Sequence, residues 1–195
     1  MRKVIWAAGV LVCLCVASVD ADLVNTGFET GSLSPWYTGF DYGATEAWNV
    51  TSADAHSGTY SATNVGDSEI RQTFAPVPAS EISELSYWVK EPGTRFVFSG
   101  FNLYYEGYYF ASGYFAPSEG EWQYVDLTSY LEPGLNLTGV GVWGYEMPSA
   151  SWETRTYVDD FTLTAVPAPG ALMLAALGTT VFACVRRRRA RLTLP

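Results

Sequence analysis

The sequence predicts an all-β domain, a two-sheet antiparallel sandwich, set between an N-terminal signal helix and a C-terminal transmembrane helix. Three observations carry this. Residues 22–165 show no helical periodicity. Short aromatic and β-branched runs alternate there with clusters of Gly, Ser, Asn and Asp, the pattern of many short strands in a sandwich or barrel. The long apolar runs lie only at the two ends of the 195-residue chain.

The leader comes first. Arg2-Lys3 is a basic n-region, residues 4–17 form an apolar h-region, and Val19-Asp20-Ala21 offers small or apolar residues before a cut. Residues 1–21 therefore read as a secretory signal peptide, removed by signal peptidase after Ala21, and not as a span. Cys13 and Cys15 sit inside the h-region without the preceding small residue that a lipid-anchored leader needs.

The domain at 22–165 follows. Its expected strands are 47–51, 59–64, 70–74, 84–89, 95–105, 108–115, 123–126, 137–145 and 156–164. The clearest hairpin joins 96–105 to 108–115 through Glu106-Gly107, where glycine suits a two-residue turn that needs positive φ. That turn pairs Tyr105 with Tyr108 and Tyr104 with Tyr109. Alternation then sets Phe101, Leu103, Tyr105, Tyr108, Phe110 and Tyr114 on a core face, and Asn102, Tyr104 and Tyr109 on an outer face.

Charge narrows the partners. The domain has four bases (Arg71, Lys90, Arg95, Arg155) against 19 acids, a formal charge of −15 (4 − 19), hidden by the basic termini in the whole-chain value of −9. A domain this acidic repels nucleic acid and anionic membrane. It has no cysteine, since Cys13, Cys15 and Cys184 lie in the end segments, so no disulfide can staple it.

The tail closes the chain. Val166, Pro167, Ala168, Pro169 and Gly170 form a proline-rich hinge, residues 171–185 an apolar helix, and Arg186, Arg187, Arg188 and Arg189, with Arg191, a basic stop. The apolar run is shorter than the roughly 20 residues of a full span. The arginines hold that end on the cytoplasmic side of the inner membrane, which leaves everything before Val166 outside. Residues 166–195 resemble the PEP-CTERM sorting tail of bacterial surface and matrix proteins, with Ala168 in place of the usual glutamate. The resemblance implies processing by an exosortase and release to the cell surface or extracellular matrix. An ordinary C-terminal anchor is the alternative, with the same topology and no cleavage.

Four patches carry a second resemblance. They are Asn25-Thr26-Gly27-Phe28-Glu29 running on to Trp36; Ala55-His56-Ser57-Gly58-Thr59-Tyr60; Ile70-Arg71-Gln72-Thr73-Phe74 with Leu85-Ser86-Tyr87-Trp88; and Tyr157-Val158-Asp159-Asp160-Phe161. In this order they resemble the galactose-binding-like jelly rolls of bacterial carbohydrate-binding modules, across residues 22–164. The resemblance implies a jelly-roll sandwich with its first and last strands close together, and Trp36 and Trp88 in the core. It also implies a structural calcium ion held by Glu29, the carbonyls near Ser57 and Gly58, and Asp159 ahead of Asp160. Calcium's preference for six to eight hard oxygens is compatible with that set. The bland alternative has Glu29 accepting backbone hydrogen bonds and the two aspartates facing water on opposite sides.

Sugar binding needs flat rings and a few planar hydrogen-bonding groups. Asn102, Tyr104 and Tyr109 on the expected outer face, and Trp152 in the polar loop Ser149-Ala150-Ser151-Trp152-Glu153, are the candidates. His56 reads as a turn residue. The domain has no thiol, nucleophile elbow, phosphate loop or zinc spacing, and no catalytic residue is assigned. The reading is a non-catalytic, exported, surface-sorted protein that binds extracellular polysaccharide. A matrix or adhesion protein without a small ligand is the alternative, followed by a jelly-roll hydrolase or lyase.

Overall fold

Among the described residues ten strands follow one another: β1 (Tyr37–Asp41), β2 (Glu46–Thr51), β3 (Ser61–Val65), β4 (Ser68–Pro78), β5 (Ile82–Lys90), β6 (Phe98–Tyr105), β7 (Phe110–Phe115), β8 (Gln123–Asp126), β9 (Asn136–Tyr145) and β10 (Arg155–Ala165). The structure, a computed structural model, describes residues 22–92, 98–107, 110–115, 120–145 and 155–166. The strands form two five-stranded antiparallel sheets, ordered β1-β4-β9-β6-β7 and β2-β3-β10-β5-β8. The all-β two-sheet sandwich is therefore as the sequence predicts. The leader, the hinge from Pro167 onward and the arginine cluster lie outside the described residues, and among the described residues no helix is long and apolar enough to cross a membrane.

Period-two alternation builds the core. Ile70 on β4, Leu103 on β6 and Val140 on β9 point between the sheets, towards Leu85 and Tyr87 on β5 and Val158 on β10, and all six are fully buried. The N-terminal segment packs against this layer. Phe28, Trp36 and Phe161 touch one another with ring centroids 4.4–6.2 Å apart. The Gln72 side-chain amide clasps Val24, accepting from its N–H and donating to its carbonyl, both at 2.8 Å. That segment, rather than β1, lies on the last strand: Phe161 N–H donates to the Thr26 carbonyl.

Three expectations need correction. β1 is a strand that the sequence reading leaves out, because Tyr-Thr-Gly-Phe-Asp carries a glycine where strand propensity is weakest. Trp88 is not in the main core. Its neighbours Tyr87 and Val89 point inward, so Trp88 faces the other way, half-buried, and stacks on His56 with centroids 3.8 Å apart. The β6–β7 hairpin is one residue out of the expected register. Tyr104 pairs with Phe110, Asn102 with Ser112 and Phe101 with Gly113. The last pair of the ladder is Tyr104 with Phe110, so the connection runs over 105–109 and is longer than the two-residue turn that Glu106-Gly107 suggests. A one-residue slip exchanges faces, so Ala111 and Gly113, rather than Phe110 and Tyr114, oppose Leu103 and Phe101 on the inner side.

Candidate functional site

The outer face of the first sheet collects the groups of interest. In its central row Tyr37 (β1), Arg71 (β4), Gly141 (β9), Asn102 (β6) and Ser112 (β7) are successive cross-strand partners. One step along the strands, Glu69 pairs with Trp143 and Trp143 with Gly100. On the other side Tyr104 pairs with Gly139. Five strands at about 4.8 Å spacing make the row about 19 Å long.

Glycines decide what lies flat here. Gly39 and Gly141 flank Glu69, and a Cβ on either would run into its carboxylate. With no side chains there, that carboxylate lies across its neighbours and is completely buried. Its Oε1 accepts from Asn102 Nδ2 at 2.7 Å and from the Tyr104 hydroxyl at 2.5 Å. Glu69 thus fixes two of the groups that line the face. The Arg71 guanidinium sits over the Tyr37 ring (5.1 Å to the centroid) and the Tyr104 ring (4.5 Å). Trp143 is half-buried, its indole lying where a Cβ on Gly100 would otherwise project.

The electrostatics follow from this packing. Burial first, then the hydrogen bond to Glu69 and its charge, push the Tyr104 hydroxyl up to about 12, against the opposing effect of Arg71. Burial opposes the Arg71 charge, but Tyr104, Tyr37 and Glu69 outweigh it and hold its pKa above the usual guanidinium value. Tyr104 is therefore a neutral donor, and Arg71 a permanent cation.

Asn102 and Tyr104 fall on the outer face as expected, although both are more deeply set than solvent-facing residues: Asn102 is 7% exposed. Tyr109 and Trp152 lie outside the described residues. Sequence reasoning missed Tyr37, Glu69, Arg71 and Trp143. The usable signal was Gly139-Val140-Gly141-Val142-Trp143, which alternates an apolar inner face with an outer face that is bare at Gly139 and Gly141 and carries Trp143.

The expected calcium ligands also come together, at a different place. A β-bulge in β10 between Asp159 and Thr162, with Asp160 at φ +47°, turns both aspartates towards the His56-Ser57 turn. They do not alternate to opposite sides. Asp159 Oδ2 accepts from the His56 and Ser57 N–H groups at 2.9 and 3.3 Å. Asp160 Oδ2 lies 2.7 Å from His56 Nδ1, and its Oδ1 accepts from Ser57 Oγ at 2.9 Å. Glu29 Oε1 accepts from Thr59 and Tyr60 N–H, both at 2.9 Å. Burial, then the charge of Asp160, push the Asp159 carboxyl up to about 6, against three backbone N–H bonds. As placed, Asp159 and Asp160 are joined by hydrogen bonds to His56 and Ser57, and Glu29 holds the neighbouring Thr59 and Tyr60 N–H groups. Among the described residues no three acidic, imidazole or thiol side chains are arranged to hold a metal.

No protein-family model matches the chain, and no curated protein matches it. Solved structures do. The carbohydrate-binding module TmCBM61, in complex with β-1,4-galactotriose, is 24% identical with a TM-score of 0.54, over 74% of this chain and 98% of that one. A family 16 carbohydrate-binding module is 18% identical, over 72% and 97%, with a TM-score of 0.49. The enzymatically active domain of tailspike protein 4 from bacteriophage CBA120 is 10% identical, over 75% of this chain and 21% of that one, with a TM-score of 0.54. The chain shares its two-sheet sandwich fold with these structures. At these identities the likeness is one of fold.

Proposed function

We propose that this domain binds an extracellular polysaccharide along the outer face of the first sheet. The observation that carries the reading is the central row of that face together with the rows on either side of it. Two tyrosine rings with a guanidinium between them, an indole, and an amide fixed by a buried carboxylate run across the strands. Rings offer flat apolar surface to sugar C–H groups, while Asn102 and Arg71 offer planar hydrogen bonding. Tyr37 is 41% exposed, so its ring is open to a ligand. Carbohydrate-binding modules of the same fold support the reading, TmCBM61 with a bound galacto-oligosaccharide among them.

The protein is read as non-catalytic. The central row and the rows beside it hold one carboxylate, Glu69, and it is buried beneath Arg71 and Tyr104 rather than converging with a second acid, as glycoside hydrolysis requires. The leader and the PEP-CTERM-like tail support export and sorting to the surface by signal peptidase and an exosortase. Fractionation of cells with and without Arg186–189 replaced by Gln tests that part: loss of surface material supports sorting by the tail, and unchanged surface display removes it.

The binding test is calorimetry of the purified chain against a polysaccharide panel that begins with β-1,4-galactan. Saturable binding that Tyr104→Ala and Trp143→Ala each weaken supports the reading. A folded chain that binds no member of the panel sinks it, and leaves a structural matrix or adhesion protein.

A further inference from the structure

Arg71 stands apart from the other two described basic residues, Lys90 and Arg155. Lys90 pairs with Asp54 at 2.8 Å and Arg155 with Glu46 at 2.6 Å. Among the described residues Arg71 has no carboxylate within ion-pair distance, although it lies at the centre of the candidate face. A guanidinium clamped between rings in a sugar-binding row would ordinarily attract the carboxylate of an acidic sugar, by bidentate hydrogen bonding.

A counter-charge is built in beneath it. The Glu69 carboxylate and Arg71 both border Gly39, where a Cβ would clash with Glu69 Oε2 and lie 3.4 Å from Arg71 Nε. Glu69 is 0% exposed, and neither its Oε2 nor Arg71 Nε has a hydrogen-bond partner. The two charges face each other across one residue's width without bonding. Solvent does not screen a charge buried in this way, whereas the acids elsewhere on the surface are screened beyond about 8 Å at physiological salt. The local pair, and not the net −15, therefore sets the potential that a bound sugar meets.

We propose that Glu69 determines the charge specificity of the face: it cancels Arg71 from below and restricts binding to uncharged polysaccharide. This rests on the polysaccharide-binding reading. An anionic sugar brought against Arg71 also approaches the buried carboxylate, and exclusion by a like charge is a direct route to specificity.

The test compares three polymers: β-1,4-galactan, polygalacturonate and its methyl ester. The wild-type chain is expected to bind galactan with no dependence on salt, and to prefer the methyl ester to the free acid by about tenfold or more. Glu69→Gln keeps the shape and an acceptor for Asn102 and Tyr104 but removes the charge. It is expected to gain about tenfold or more in affinity for polygalacturonate, with the gain lost in 1 M NaCl. Arg71→Gln should show no such gain. Wild-type binding to the free acid as tight as to its ester overturns the proposal. So does a folded Glu69→Gln chain that binds galactan and gains nothing for the acid. If Glu69→Gln does not fold, the wild-type comparison of acid with ester decides alone. Binding of none of the three polymers by the folded wild-type chain overturns the polysaccharide reading, and this proposal with it.

Discussion

Glu69 and its two donors set the local energetics of the face. Tyr104→Phe removes one of the bonds to a fully buried carboxylate oxygen. Leaving such an acceptor short of a donor costs about 1–3 kcal/mol, so the urea midpoint should fall, and sugar affinity with it, while the ring remains. Tyr37→Ala is the contrasting case. Its ring is 41% exposed, and surface substitutions of this kind usually shift stability by about 0.5 kcal/mol or less. It is expected to weaken polysaccharide binding without moving the melting temperature. A large loss of stability at Tyr37, or unchanged binding in both variants, would show that the rings pack the sheet rather than meet a ligand. Little of this was legible beforehand. Alternation within one strand places Asn102 and Tyr104, but Glu69 lies 33 and 35 residues before them on the same earlier strand as Arg71, and only sheet order brings them alongside.

At the scale of elements, glycine-bearing strands make the face possible. β1 and β9 place Gly39 and Gly141 on either side of Glu69. Gly141→Ala drives a methyl into the buried carboxylate, and overpacking of this kind costs about 1–3 kcal/mol. Chemical denaturation should read that loss, and calorimetry a weaker sugar affinity, because Asn102 and Tyr104 lose their anchor. Stability and affinity both at wild-type levels would count against a fixed carboxylate. Hairpin and bulge also act at this scale. The register of β6 and β7 was not legible, because Glu106-Gly107 suggests a two-residue loop whereas the ladder ends at Tyr104 and Phe110 and leaves 105–109 to the connection. The bulge at Asp160 was equally hidden, since strict alternation would separate the two aspartates that it brings to one turn.

For the molecule as a whole, buried acids make stability depend on pH. Glu91 is 3% exposed beside Ser99 and Thr156, and burial above all pushes its carboxyl from the ordinary 4.5 up to about 7. A folded-state pKa above the unfolded one means that the native protein holds the proton more tightly. The stability so gained is complete below about pH 4.5 and is lost as pH rises through about 7. The urea midpoint should therefore be lower at pH 8 than at pH 5, and Glu91→Gln should reduce the difference, leaving the part that Asp159 contributes. A midpoint that rises over this interval would contradict the assignment. Backbone N–H groups, the Ser57 hydroxyl and the His56 ring already contact the Glu29, Asp159 and Asp160 carboxylates, and if those contacts alone hold them the melting temperature is unmoved by chelator. A fall of several degrees on chelation, restored by calcium, would show that an ion takes part after all.

The sequence by itself determined the sandwich and much of its core, because period-two alternation and turn residues act locally and need no partner to be read. It also determined the −15 charge of the domain and the absence of cysteine within it. Only the tertiary structure decided what the outer face carries. A buried carboxylate, a guanidinium between two rings and an indole over a glycine come from four strands that are distant in sequence, and their contacts exist only once β1, β4, β9 and β6 lie side by side.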